Sequence, residues 1–163
     1  MKVLISVLVL LSFTACNEVK SVSRSDERKS VEPIKEGSLD GKIGKNNWSY
    51  LSGRVKTSYF DKNEYSLELW DYSSNDPCNE WGKADVSKIL GRIPKNIGSF
   101  DLGNERNVTF TFKENGTYVN YIATEGKIVV SKIEGDFLEG KMVAQYDNEN
   151  YVNGSFRIQI CSN

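Results

Sequence analysis

The stretch Val108-Thr109-Phe110-Thr111-Phe112-Lys113-Glu114-Asn115-Gly116-Thr117-Tyr118-Val119-Asn120-Tyr121-Ile122-Ala123 decides the fold. Asn115-Gly116 supplies two residues that tolerate positive φ, as the centre of a type I′ turn requires, and apolar and polar residues alternate on both sides. Setting Glu114 opposite Thr117 pairs Phe112 with Val119, Phe110 with Tyr121 and Val108 with Ala123. Thr111 then faces Asn120 on the other side. Every apolar pair falls on one face, so turn chemistry and alternation agree on an antiparallel hairpin.

The same grammar extends outward in both directions. From about residue 40, aromatic and β-branched residues alternate with polar ones in short runs broken by Gly, Asn and Asp. Strands are expected over 41–48, 50–59, 65–71, 89–93, 99–102, 108–113, 118–123, 127–133, 137–146 and 151–161, and only 85–90 has the makings of a helical turn. Turns at Glu134-Gly135-Asp136 and Asp147-Asn148-Glu149-Asn150 make the C-terminal half a meander. In the last strand Phe156, Ile158 and Ile160 share one parity and Arg157 and Gln159 the other, the signature of a half-buried strand. The expectation is a single all-β domain over 38–163, an antiparallel β-sandwich or flattened barrel of about 8–10 strands.

Upstream the character changes. Lys2 precedes an apolar run over 3–11 and then Phe13-Thr14-Ala15-Cys16, the layout of an export signal. The run stops short of the ~20 apolar residues that a spanning helix needs. Phe13-Thr14-Ala15-Cys16 resembles the bacterial lipobox read by signal peptidase II, with Phe13 where Leu is usual. That resemblance implies a signal peptide over 1–15 and a diacylglyceryl and palmitate-type lipid anchor on Cys16, which becomes the first residue. Each buried CH₂ of an acyl chain contributes about 0.8 kcal/mol, so three chains hold a protein on a bilayer essentially permanently. By resemblance to enterobacterial sorting, Asn17 implies the outer membrane, with the domain facing the periplasm or the cell surface. The alternative is an ordinary secretory signal cleaved after Ala15, leaving Cys16 free. Residues 16–37, rich in charge and Ser and without aromatics, read as the lipidated Cys and a flexible tether of roughly 25 Å root-mean-square span.

With Cys16 given to lipid, Cys78 and Cys161 are the two cysteines left in a compartment where disulfides persist, and they are expected to pair. Two free thiols or a metal pair is the competing reading, weakened by the absence of His and of CxxC spacing. The 21 Lys and Arg against 22 Asp and Glu leave no electrostatic footprint for nucleic acid. The absence of His also removes Ser-His-Asp and Cys-His catalysis and His-based zinc sites. Carboxylate pairs at Glu68 with Asp71, or Asp76 with Glu80, read as solvated groups rather than glycosidase acids. Residues 71–76 offer oxygen ligands without the Gly and terminal Glu of an EF-hand, so they read as a loop before Pro77. No enzyme, cofactor or metal is expected. The Asn-x-Ser/Thr triplets at Asn107, Asn115 and Asn153 are turns and strand edges behind such a signal.

Trp48, Gly98-Ser99-Phe100, Gly126-Lys127-Ile128-Val129-Val130 and Val152-Asn153-Gly154-Ser155-Phe156 resemble the small β-sandwich lipoproteins of unknown function found in diderm bacteria. The resemblance implies the fold and no activity. For function, alternation over 65–72 puts Leu67 and Leu69 on one face and Trp70 on the other, less buried one. Trp48, Tyr50, Trp70, Tyr72 and Trp81 are therefore the candidate patch for a protein or glycan partner. The alternative places Trp48 and Trp81 over the core ends or the disulfide. The expected function is a membrane-anchored binding or interaction module. An inhibitor or immunity protein against a secreted hydrolase would use a loop over 73–85, and a calycin-like carrier would need a barrel with an unfilled interior.

Overall fold

A computed structural model describes residues 32–80, 86–103 and 105–162. Eleven strands form one sheet: β1 (Asp40–Ile43), β2 (Asn46–Ser49), β3 (Ser52–Thr57), β4 (Glu64–Trp70), β5 (Lys88–Pro94), β6 (Gly98–Asp101), β7 (Val108–Glu114), β8 (Thr117–Ala123), β9 (Glu125–Glu134), β10 (Phe137–Gln145) and β11 (Tyr151–Cys161). The spatial order is β6-β9-β10-β11-β3-β4-β5-β7-β8, with β1 set beside β11 and β2 beside β1. The sheet curls strongly into a half-barrel, so its concave face encloses the core. All neighbours are antiparallel except β11 and β3, which run parallel with Ile160 opposite Val55.

The β7–β8 hairpin has the register that its turn dictates. Glu114 pairs with Thr117, Phe112 with Val119, Phe110 with Tyr121 and Val108 with Ala123. Asn115 and Gly116 hold φ of 49° and 82°. The expected 41–48 strand is instead the hairpin β1–β2, because Gly44 and Lys45 both adopt positive φ and reverse the chain. Gly44 is needed there twice over: a Cβ would meet the Phe112 ring at 2.4 Å, so this turn is also where β1–β2 rests on β7. The expected helical turn at 85–90 is absent where the chain is described, since 88–90 open β5. Ile89 is drawn fully into the core opposite Leu69 and Phe110.

The core is continuous. Leu39, Ile43, Trp48, Val55, Leu67, Leu69, Ile89, Ile93, Phe110, Ile128, Val130, Leu138, Met142, Val152 and Ile158 are all buried in one cluster. On β10 and β11 this inward row is set by Leu138 opposite Ile158 and Gly140 opposite Phe156, with Glu139 and Arg157 outside. Between Glu139 and Gly140 the β9–β10 register slips, leaving Ser131 as the extra residue of a bulge, the local device that bends a strand and adds curl. Residues ahead of the expected domain start at 38 also pack on the domain. The Lys35 amide donates to Asn153 Oδ1, Asn153 Nδ2 donates to the Pro33 carbonyl, and the Ser155 amide donates to the Gly37 carbonyl. Residues 33–37, expected as the end of the tether, are strapped along β11.

Candidate functional site

Three regions carry the residues on which function could rest, and the first lies outside the half-barrel. On the convex face of β3 and β4, Ser52 stands opposite Trp70 and Arg54 opposite Glu68. Alternation places Trp70 away from Leu67 and Leu69 as expected, yet Trp70 is fully buried. The chain after β4 turns back over this face. Tyr72 stacks on Trp70 at 5.2 Å and nearly parallel, and its carbonyl accepts a hydrogen bond from Ser52 Oγ. Arg54 lies over the indole at 5.4 Å, binds Glu68 at 2.9 Å, and donates from Nη1 to the carbonyls of Pro77 and Glu80. Cys78 is bonded to Cys161, the outward-facing end of β11 beside β3. The outer face thus has a small core of its own, and a buried Trp of 150–250 Å² contributes about 4–6 kcal/mol at ~25 cal/mol per Å².

This arrangement corrects the proposed patch. Trp70 is not on an exposed side, because outside the sheet is not outside the molecule where a disulfide-held loop covers it. Tyr72 is half-buried in the same clasp. In the candidate inhibitory loop, Pro77, Cys78 and Glu80 are held to the sheet by Arg54 and the disulfide, while Ser73, Asn75 and Asp76 are exposed. Ser74 Oγ donates to Glu80, and Asp76 accepts from the backbone and side chain of Asn79. Those bonds, the Asn79 amide side chain foremost, hold the Asp76 carboxyl below the usual carboxylate range. The oxygen ligands of 71–76 are thus partly consumed in turns. Trp81 and Cys16 lie outside the described residues.

The second region surrounds Tyr50. Trp48 is only 2% exposed, belongs to the main core, and donates from Nε1 to the Ser87 carbonyl. Tyr50 sits edge-on to Phe156, and its hydroxyl donates to the Arg157 carbonyl. Burial raises this phenol's pKa and outweighs the opposing pull of the Arg157 cation, so the hydroxyl stays a proton donor. Beside it is an open groove of about 620 Å³, bounded by Ser38, Tyr50, Ser131, Glu139, Lys141 and Arg157. Glu139 pairs with Arg157 at 3.4 Å and Lys141 with Glu36 at 2.7 Å, so each charge of the wall has a partner of opposite sign. In the same wall Ser131 Oγ donates to the Glu139 carbonyl.

The third region was missed by the strand reading of 50–59. β3 ends at Thr57, and residues 58–63 form a tight loop whose Tyr59 and Phe60 are 86% and 85% exposed, the most exposed large apolar side chains among the described residues. The loop is pinned from below. Ser58 is fully buried and its hydroxyl accepts from the amides of Phe60 and Asp61, while Asp61 accepts from the Asn63 amide. The Ser58 amide donates to the Glu64 carbonyl, and the Lys95 amide donates to the Asn63 carbonyl, tying in the next loop with its exposed Ile97. The two rings stand edge-to-face at 5.7 Å. Ser58 followed by Asp61-Lys62-Asn63 is the signal that would have found this turn, because Ser and Asp side chains bond their own backbone two and three residues on.

Comparison with protein-family models, with curated proteins and with solved structures yields no match. The three regions are a pinned pair of exposed rings, a groove walled by ion pairs and a covalently closed clasp.

Proposed function

We propose that the chain is an exported lipoprotein, anchored through Cys16, whose β domain is a binding module that engages a protein partner with the 58–63 loop. The observation that carries the reading is the exposure of Tyr59 and Phe60 on a loop whose backbone is pinned by Ser58 and Asp61. Exposed apolar rings cost solvation in the free protein, and rings held in one geometry lose little entropy on docking. A projecting pair suits a pocket on another protein better than a sugar ring, which needs a platform to lie on. The Cys78–Cys161 bond supports an extracytoplasmic location, where disulfides persist. The filled half-barrel speaks against a calycin-like carrier.

The same loop favours one second reading. An inhibitor or immunity protein needs a rigid projection to plug a hydrolase, and 58–63 takes the part that 73–85 was expected to play. Photo-crosslinking from position 60 in intact cells tests both. An adduct that disappears with Tyr59→Ser, in a protein of unchanged melting temperature, is expected. Yield no greater than from position 115 would defeat the loop assignment, and identification of the adduct as a hydrolase would select the inhibitor reading. Mass measurement of the mature N-terminus tests the anchor separately, and an unmodified Cys16 would defeat it.

A further inference from the structure

Three strands have an edge that no other strand covers among the described residues: β2, β6 and β8. Two are protected in the ordinary way. β2 and β6 have four residues each, β2 is Asn-Asn-Trp-Ser and β6 ends in Asp101. β8 is different. It runs seven residues, Thr117-Tyr118-Val119-Asn120-Tyr121-Ile122-Ala123, without a charge, a proline or a bulge. An uncharged, unbulged edge of that length is a template for another strand, and natural sheets normally blunt it.

The hairpin geometry says which backbone groups wait there. In a two-residue turn the flanking pair Glu114–Thr117 is hydrogen-bonded, and alternation makes Phe112–Val119, Phe110–Tyr121 and Val108–Ala123 bonded pairs as well. Thr117, Val119, Tyr121 and Ala123 therefore direct their N–H and C=O groups at β7. Tyr118, Asn120 and Ile122 direct theirs at the open edge. Their side chains stand on the convex face, with Tyr118 49% and Ile122 50% exposed.

We infer that β8 pairs with β8 of a second copy of this chain, antiparallel and centred on Asn120. In that register Asn120 faces its own counterpart and Tyr118 faces Ile122 of the other copy. All three are then hydrogen-bonded pairs, so the six outward groups on each strand find partners, six hydrogen bonds in all. The exposed Tyr118 and Ile122 cover each other across the junction, an aromatic with β-branched pairing of the kind that stabilises sheets. No like charges meet, because the strand has none. The interface is isologous and closes as a dimer, joining two half-barrel sheets into one. A shift by one residue would bring outward groups against side-chain positions already bonded to β7 and leave them unmatched.

The test uses the full chain in detergent micelles, followed by sedimentation. The native chain is expected to sediment with two polypeptides per particle. Asn120→Lys and Asn120→Asp each place two like charges face to face, and each alone is expected to sediment with one. Mixing the two variants is expected to restore the pair, because opposite charges then meet at the same point, and this outcome cannot arise from misfolding. A single polypeptide per particle for the native chain overturns the inference. So does a pair that survives in both variants, or failure of the mixture to reassociate while each variant keeps the native melting temperature.

Discussion

At Trp70 one side chain shows how burial can come from the side that alternation labels as solvent. Its neighbours Arg54 and Ser52 convert a polar face into an apolar slot by spending polar atoms on loop carbonyls, that of Tyr72 among them, while the Tyr72 ring covers the indole. The adjacent Asp71 is left at the rim, where partial burial raises its pKa above the ordinary aspartate value while a bond to its own backbone opposes the rise. The sign follows from linkage. A folded-state pKa above the unfolded value of about 4 means that the carboxylate penalises the fold at neutral pH, and that the penalty vanishes below the unfolded value. Asp71→Asn is therefore expected to raise the melting temperature at pH 7 and to match the parent at pH 3, as followed by thermal denaturation. A gain that persisted at pH 3 would assign it to something other than the charge.

The β7–β8 hairpin is the element whose local and tertiary demands coincide most fully. Its turn sets the register, and the register puts Phe110 and Phe112 in the core while Thr111 donates to Asn120 Oδ1 at 2.7 Å outside. Gly116 sits in open space, so a methyl group there would meet nothing, and only its backbone is at issue. Gly116→Ala is expected to cost about 1 kcal/mol through the positive φ alone. Asn115→Gly should be close to neutral by the same measurement, chemical denaturation. By contrast β1–β2 was read as one strand because Gly44-Lys45 lacks the Asn or Asp that marks such turns, and a non-glycine at φ 72° is held there by its surroundings. The loop at 58–63 was lost for a similar reason, since Tyr59 extends the alternation of β3 by one apparent step.

On the scale of the molecule, the Cys78–Cys161 bond closes a separation of 83 residues, and its Cys161 end sits in the parallel junction of β11 with β3, opposite Lys56. Chain entropy alone assigns such a closure about 4 kcal/mol. Replacing both cysteines with Ala is expected to lower stability by roughly that amount in chemical denaturation. It should also release the clasp over Trp70, read as a red shift of tryptophan emission before global unfolding. Coincident loss of the clasp and the core would show that the outer slot and the half-barrel are one cooperative unit.

The all-β class, the hairpin register, the C-terminal meander and the cysteine pairing were legible because each depends on neighbours in sequence or on counting: a turn type, a two-residue period, two cysteines left over. The closing of eleven strands into one curled sheet rather than a sandwich depends on strands far apart in the chain finding each other, and so does the parallel seam of β11 with β3. Alternation could name the two faces of β4 and could not say that a loop anchored 83 residues away would bury the second. Burial is a property of what arrives from elsewhere, so which aromatics stay exposed was decided in three dimensions. Trp48 and Trp70 went inside, and Tyr59 and Phe60 were left exposed.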